Sequence, residues 1–168
     1  MTTTINASTS SGLVVTPDNS GNILLQYNGQ SAPAFSAYAN TTQALTQSTF
    51  TKVTFSVEVF DTNSNFASSR FTPTVAGYYQ LNASVNFAAG STSSYSIVSF
   101  YKNGGEFNRV AAVNATSVFS LPGSILAYMN GTTDYMEIYA YTGQTSVSLY
   151  GDSSGAFTTF SGCLLRGA

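Results

Sequence analysis

The chain contains no histidine. The commonest general base and metal ligand is therefore missing, and Ser-His-Asp or Cys-His catalysis is excluded. A serine–lysine arrangement would need Lys52 or Lys102, and neither sits in a recognisable motif. Carboxylates are few: Asp18, Glu58, Asp61, Glu106, Asp134, Glu137 and Asp152. Paired-carboxylate hydrolysis needs two of them to converge, and the spacing of Glu58 and Asp61 reads as a strand end running into a loop. No enzyme activity is expected, and no cofactor or metal is implied. The single cysteine, Cys163, cannot form a disulfide within the chain. Among apolar neighbours it reads as a buried, inert thiol.

Charge is equally scarce, at 7 % of residues against roughly 25 % in an average soluble domain. The basic residues Lys52, Arg70, Lys102, Arg109 and Arg166 form no run, so no nucleic-acid partner is expected. A net charge of −2 gives little electrostatic protection against association, and burying surface in an oligomer is one remedy. No segment is long and apolar enough for a membrane-spanning helix. Met1 to Ser11 lacks the basic and apolar regions of a secretory signal, so the expectation is synthesis in a cytoplasm without export by that route. Asp61, Asn63 and Asn65 form a D-x-N-x-N run, but no EF-hand glycine or distal glutamate follows. It reads as a polar loop capped by Asx turns. Five Asn-x-Ser/Thr sequons start at Asn6, Asn40, Asn82, Asn114 and Asn130; a chain this rich in Ser, Thr and Asn contains them by chance.

What is present points to β structure. Hydrophobic residues reach 43 % and aromatics 14 % of 168 residues, enough for a packed core. Ser, Thr, Asn and Gly take the place of helix-surface residues, and they favour strands and turns. Val53 to Val59 alternates apolar and polar, as does Tyr79 to Phe87, the period of a half-buried strand. Further strands are expected at Tyr95–Lys102, Arg109–Val113, Ser124–Met129, Tyr135–Tyr141, Ser146–Leu149 and Ala156–Leu165. Turn signals separate them at Asn103-Gly104-Gly105, Leu121-Pro122-Gly123, Asn130-Gly131 and Gly151 to Gly155. Many short strands with turns about every ten residues describe a sandwich or barrel.

Two regions stand apart. Residues 1–30 read as a polar arm, Met1 to Ser11, and then a hairpin. Its apolar runs are Leu13-Val14-Val15 and Ile23-Leu24-Leu25, joined through Pro17-Asp18-Asn19-Ser20-Gly21. A lone hairpin is marginal in water, so these six residues are the expected attachment site to another protein. A linker is expected at Gly29-Gln30-Ser31, leaving residues 31–168 as one domain. In the strand Tyr135–Tyr141, Tyr135, Tyr139 and Tyr141 share a face opposite Met136, Ile138 and Ala140. Either the tyrosines are partly exposed on the sheet, or they form a subunit interface, a role that suits a flat side chain with a polar tip. The interface is the reading taken forward.

Several segments together resemble the C1q/TNF-like family. Pro33-Ala34-Phe35-Ser36-Ala37 resembles its opening strand. Phe71-Thr72-Pro73-Thr74-Val75-Ala76-Gly77-Tyr78-Tyr79 is similar to its F-T-x-P-V-x-G-x-Y segment, with the proline displaced by one place. Tyr101-Lys102-Asn103-Gly104 matches its Y-K-N-G hairpin, and Phe157 to Leu165 resembles its closing S-T-F-S-G-F-L-L strand. The resemblance implies an all-β jelly-roll sandwich of ten strands that forms a homotrimer. The family's G-D-x-V strand departs here to Gly131-Thr132-Thr133-Asp134-Tyr135, and no Gly-X-Y stalk is present. Ile5 to Leu13 and Ser20 to Gln26 resemble leader segments of tailed-bacteriophage structural proteins. That likeness implies a virion protein made in the host cytoplasm. The expected role is a trimeric capsid decoration (cement) protein gripping the major capsid protein or another virion protein. The alternatives are the receptor-binding tip of a tail fibre or spike, meeting a host-surface glycan through Asn103, Asn108, Tyr150 and Asp152, and a bacterial C1q-like surface or spore-coat module.

Overall fold

A computed structural model describes residues 26–27, 30–90 and 94–168. Among them are fifteen strands and no helix. In chain order these are β1 (Gln26–Tyr27), β2 (Gln30–Ser31), β3 (Ala34–Tyr38), β4 (Gln43–Ala44), β5 (Thr51–Lys52), β6 (Val57–Asp61), β7 (Phe66–Ala67) and β8 (Arg70–Phe71). They continue with β9 (Gly77–Phe87), β10 (Tyr95–Lys102), β11 (Gly105–Asn114), β12 (Phe119–Met129), β13 (Met136–Thr142), β14 (Ser148–Leu149) and β15 (Thr159–Gly167). The expected hairpin of Leu13, Val14, Val15, Ile23, Leu24 and Leu25 lies outside the described residues. The expected linker ends instead in a short ladder, since Gln30–Ser31 pairs with Gln26–Tyr27.

Two antiparallel sheets make the sandwich. The front sheet runs β11-β10-β13-β8-β7, with β5 also on β13; the back sheet runs β4-β14-β9-β15-β3-β6, with β12 also on β9. Their inner faces meet in one core, where period-two alternation delivers a large side chain at every second position. In β9, Tyr79, Leu81, Ala83, Val85 and Phe87 are all buried. Phe35 of the back sheet stacks on Phe71 of the front sheet at 4.3 Å between ring centroids, and meets Phe160 edge-on at 4.9 Å. Phe160 also lies 6.2 Å from Phe100, so this one ring touches both layers. Gly162 of β15 relieves crowding in the same region: a Cβ there would collide with the Leu81 side chain and lie 3.0 Å from the Phe35 ring.

Two expectations change. Val53 to Val59 is not one strand. Thr51–Lys52 pairs with β13 in the front sheet, while Val57–Asp61 pairs with β3 in the back sheet. Residues 53–56 cross between the layers, burying Val53 and Phe55 on the way. The alternation therefore continues through a crossing, and Val59, on the sheet edge, is exposed. Leu121-Pro122-Gly123 is not a turn: it pairs in register with Val85, Ser84 and Ala83. β12 pairs with β9 alone, and a proline is tolerated in such an edge strand because its missing N–H can face the open side. At Asn103-Gly104 the expected turn forms, with φ of +54° and +83°. Both central residues in the left-handed region match the twist of a two-residue hairpin.

Candidate functional site

The outer face of the front sheet gathers five charged residues, Lys52, Arg70, Glu106, Arg109 and Glu137. In β13, Met136, Ile138 and Ala140 face the core and are fully buried. Alternation sends Glu137, Tyr139 and Tyr141 the other way, opposite Tyr101, Ser99 and Ile97 of β10. Tyr139 stacks on Tyr101 at 4.0 Å, Tyr141 packs on Phe50 at 5.1 Å, and the Arg70 guanidinium lies 3.8 Å from the centre of the Tyr135 ring. The structure thus brings Tyr135, Tyr139 and Tyr141 to one side, half-buried, each already in contact within the chain.

Glu137 sits among them with a side chain only 3 % exposed. Its Oε1 accepts from Lys52 Nζ at 2.6 Å and from Arg70 Nε at 2.8 Å. Burial pushes this carboxyl up, but the hydrogen bonds and charges of Lys52 and Arg70 outweigh it and hold the group below the usual glutamate range. The Arg70 guanidinium is raised mainly by the same hydrogen bond. Burial, then the neighbouring Glu137 charge, pushes the Tyr139 hydroxyl up. A second pair lies beside it: Arg109 grips Glu106 with Nε at 2.9 Å and Nη2 at 3.0 Å, and Ser99 Oγ donates to the same carboxylate at 2.7 Å. Sequence reasoning missed Glu137, Lys52 and Arg70 as a unit. The available signal was a carboxylate at an alternating position between tyrosines, which must find a cation if it is buried.

The outer face of the back sheet is different. Its middle is a ladder of amides and hydroxyls: Ser124 Oγ donates to Asn82 Oδ1 at 2.8 Å, and Asn86 Nδ2 to Ser120 Oγ at 2.8 Å. At one end the polar ladder gives way to Tyr78, Leu126, Tyr128 and Leu165, which are 45 %, 57 %, 43 % and 58 % exposed. Tyr78 and Tyr128 are cross-strand partners with rings 5.5 Å apart.

No family model matches the chain, and no curated protein matches it. Solved structures do. The globular domain of the zebrafish complement 1qA protein is similar over 82 % of this chain and 100 % of that one, with a TM-score of 0.57 at 17 % identity. Murine APRIL at pH 5.0 is similar over 80 % of this chain and 100 % of its own, with a TM-score of 0.59 at 13 % identity. The fold is a C1q/TNF-like jelly roll.

Within this jelly roll Asn108 lies exposed on β11, and the other remaining candidate residues are occupied by their own loops. Asp61 Oδ1 accepts from the Asn63 amide and Oδ2 from the Phe66 amide, while Asn65 Oδ1 accepts from the Thr74 amide. The run is the Asx-capped loop expected of it, with its oxygens turned onto backbone N–H groups. Asn103 bridges Asp134 and the Tyr135 amide, and Asp152 accepts from Ser154 and Tyr150. Hydrogen bonding from Lys102 is the main cause holding the Asp134 carboxyl low. Cys163 is half-buried. Among the described residues no three His, Cys, Asp or Glu side chains converge.

Proposed function

We propose that the chain is a non-catalytic jelly-roll module that assembles as a homotrimer through the outer face of its back sheet. The observation that carries this is the apolar end of that face. Tyr78, Leu126, Tyr128 and Leu165 leave roughly half their surface in water on three adjacent strands. Contiguous exposed apolar side chains of this kind mark interaction surfaces. The front face offers less, because Tyr135, Tyr139 and Tyr141 already have partners in the chain. The number three comes from the resemblance of its segments to C1q/TNF-like domains.

Sedimentation velocity tests it. Wild type should run as a trimer and Leu126→Glu with Tyr128→Glu as a monomer, while Tyr139→Ser with Tyr141→Ser should stay trimeric. The reverse pattern would move the interface to the tyrosine face. A monomeric wild type would end the trimer reading.

The proposed setting is a virion surface, as a capsid decoration protein held to the major capsid protein by residues 1–30. Its support is the likeness of the leader to phage structural proteins. A threefold trimer also suits the local threefold positions of an icosahedral shell. Deleting residues 2–30 should abolish capsid binding and leave the trimer intact. Immunogold electron microscopy with antibody to residues 31–168 should label the head. Label on the tail would favour a receptor-binding tip, and unlabelled particles a bacterial surface or spore-coat module.

A further inference from the structure

We infer that the cleft beside the β7–β8 hairpin binds the negatively charged group of an acidic saccharide. The cavity measures about 550 Å³ and is lined by Lys52, Ser64, Asn65, Ser68, Arg70 and Thr72, among others, with no carboxylate in its wall. Lys52 and Arg70 share a single counter-ion: both donate to Oε1 of Glu137, at 2.6 and 2.8 Å. Two cations against one carboxylate leave one unit of positive charge uncompensated at the cleft.

The donors needed to use that charge are in place. Arg70 gives Glu137 only its Nε, so among the described residues the Nη edge of its fork has no acceptor. That edge is the part of a guanidinium that grips an oxyanion through two parallel hydrogen bonds. The group is also held in position. Its Nε is tied to Glu137 and its plane rests 3.8 Å from the centre of the Tyr135 ring. A cation fixed before the ligand arrives loses less freedom on binding. The Arg70 side chain is 43 % exposed and that of Lys52 31 % exposed, so both are reachable from solvent.

The rest of the wall indicates what carries the anion. A single sulfate or carboxylate would leave most of the cavity empty. Of the other lining residues, Ser64, Ser68 and Thr72 carry hydroxyls that can meet sugar hydroxyls, and the wall between them is mainly carbon, which suits the C–H face of a sugar ring. The backbone at the rim is unusual too. Ser64, Ser68 and Ser69 have φ of +54°, +51° and +58°, where non-glycine residues are seldom found. The turn is held there by Ser69, whose buried Oγ accepts the Phe55 N–H at 2.8 Å. Strained backbone maintained by such outside contacts gathers at ligand sites.

The test is an NMR titration of the full chain at constant ionic strength with three probes: sodium glucuronate, glucose and sodium sulfate. Glucuronate should shift the amides of residues 64–72 saturably, with a Kd of about 1 mM, and glucose should not. Sulfate should bind at the same place roughly tenfold more weakly, lacking the hydroxyl contacts. Arg70→Gln should weaken glucuronate roughly tenfold or more, and Arg70→Lys should fall between, because it keeps the charge and loses the fork. Glu137→Gln, shown to be folded by circular dichroism, should tighten it several-fold, because the amide oxygen still accepts from Arg70 Nε while the competing negative charge is gone. The inference is overturned if glucuronate gives no saturable shift with wild type and Glu137→Gln alike. Equal binding of glucose would remove the charge recognition, and equal binding of sulfate would remove the saccharide. None of these outcomes depends on how copies assemble.

Discussion

Replacing Glu137 by glutamine keeps its shape and removes its charge, and the consequence can be worked from the structure. Two charge-assisted hydrogen bonds end on its Oε1, at 2.6 and 2.8 Å. Bonds to charged groups contribute roughly 1.5–3 kcal/mol each. Here Lys52 and Arg70 remain partly in water, at 31 % and 43 % exposure, and screening reduces pairs with exposed partners towards about 0–1 kcal/mol. With the carboxylate buried and the cations half-solvated, the loss should be about 2–3 kcal/mol at pH 7. For a domain of this size that lowers Tm by roughly 5–10 °C.

The pH dependence has a definite sign. The folded Glu137 carboxyl lies below its ordinary value of 4.5, so its contribution is present in full above that value. It is lost as pH falls through the folded pKa, because the unfolded chain then takes up the proton more readily. Urea denaturation of wild type and Glu137→Gln from pH 7 downwards should show a constant gap to about pH 5, and a closing gap below it. A gap under about 1 kcal/mol at pH 7 would show that the cations do not hold the carboxylate. A gap undiminished at pH 2 would show that its protonation is not the linked event.

Two further substitutions probe the packing. Phe160→Ala empties a site ringed by Phe35, Phe55, Phe66 and Phe100; it should cost about 3–5 kcal/mol in urea denaturation, and a loss below about 2 kcal/mol would mean the core collapses around the gap. Gly131→Ala puts a Cβ at φ +73° against the backbone of Ala76, so Tm should fall by several degrees, roughly 1–3 kcal/mol; an unchanged Tm would mean that the Asn130–Asp134 turn yields freely.

Much of the fold was legible because a sheet buried on one face repeats every two residues. Tyr79 to Phe87 announces β9 in this way, and Asn103-Gly104 announces the turn between β10 and β11 through the residue types that tolerate positive φ. Val53 to Val59 carries the same alternation, yet the period reports only which side chains are buried. It says nothing about which sheet the backbone joins, and this segment leaves one sheet for the other. Pro122 misled for a related reason, since a proline breaks a central strand and is tolerated on an edge, and edges are set by the neighbours of a strand. The tyrosine face was legible as a face, but its occupancy was not: Phe50, Arg70 and Tyr101 reach it from distant parts of the chain.

By itself the sequence determined that histidine-based catalysis is impossible, that the chain builds β-sheets around an aromatic core, and that its surface is nearly free of charge. Those properties depend on residue types and local periods. Tertiary structure alone decided where the few charges meet. Glu137 finds Lys52 from 85 residues away and Arg70 from 67 residues away. Tertiary structure also decided that Tyr78, Leu126, Tyr128 and Leu165 end together in water. The pairing of distant strands sets both, and no local pattern encodes a register between segments so far apart in the chain.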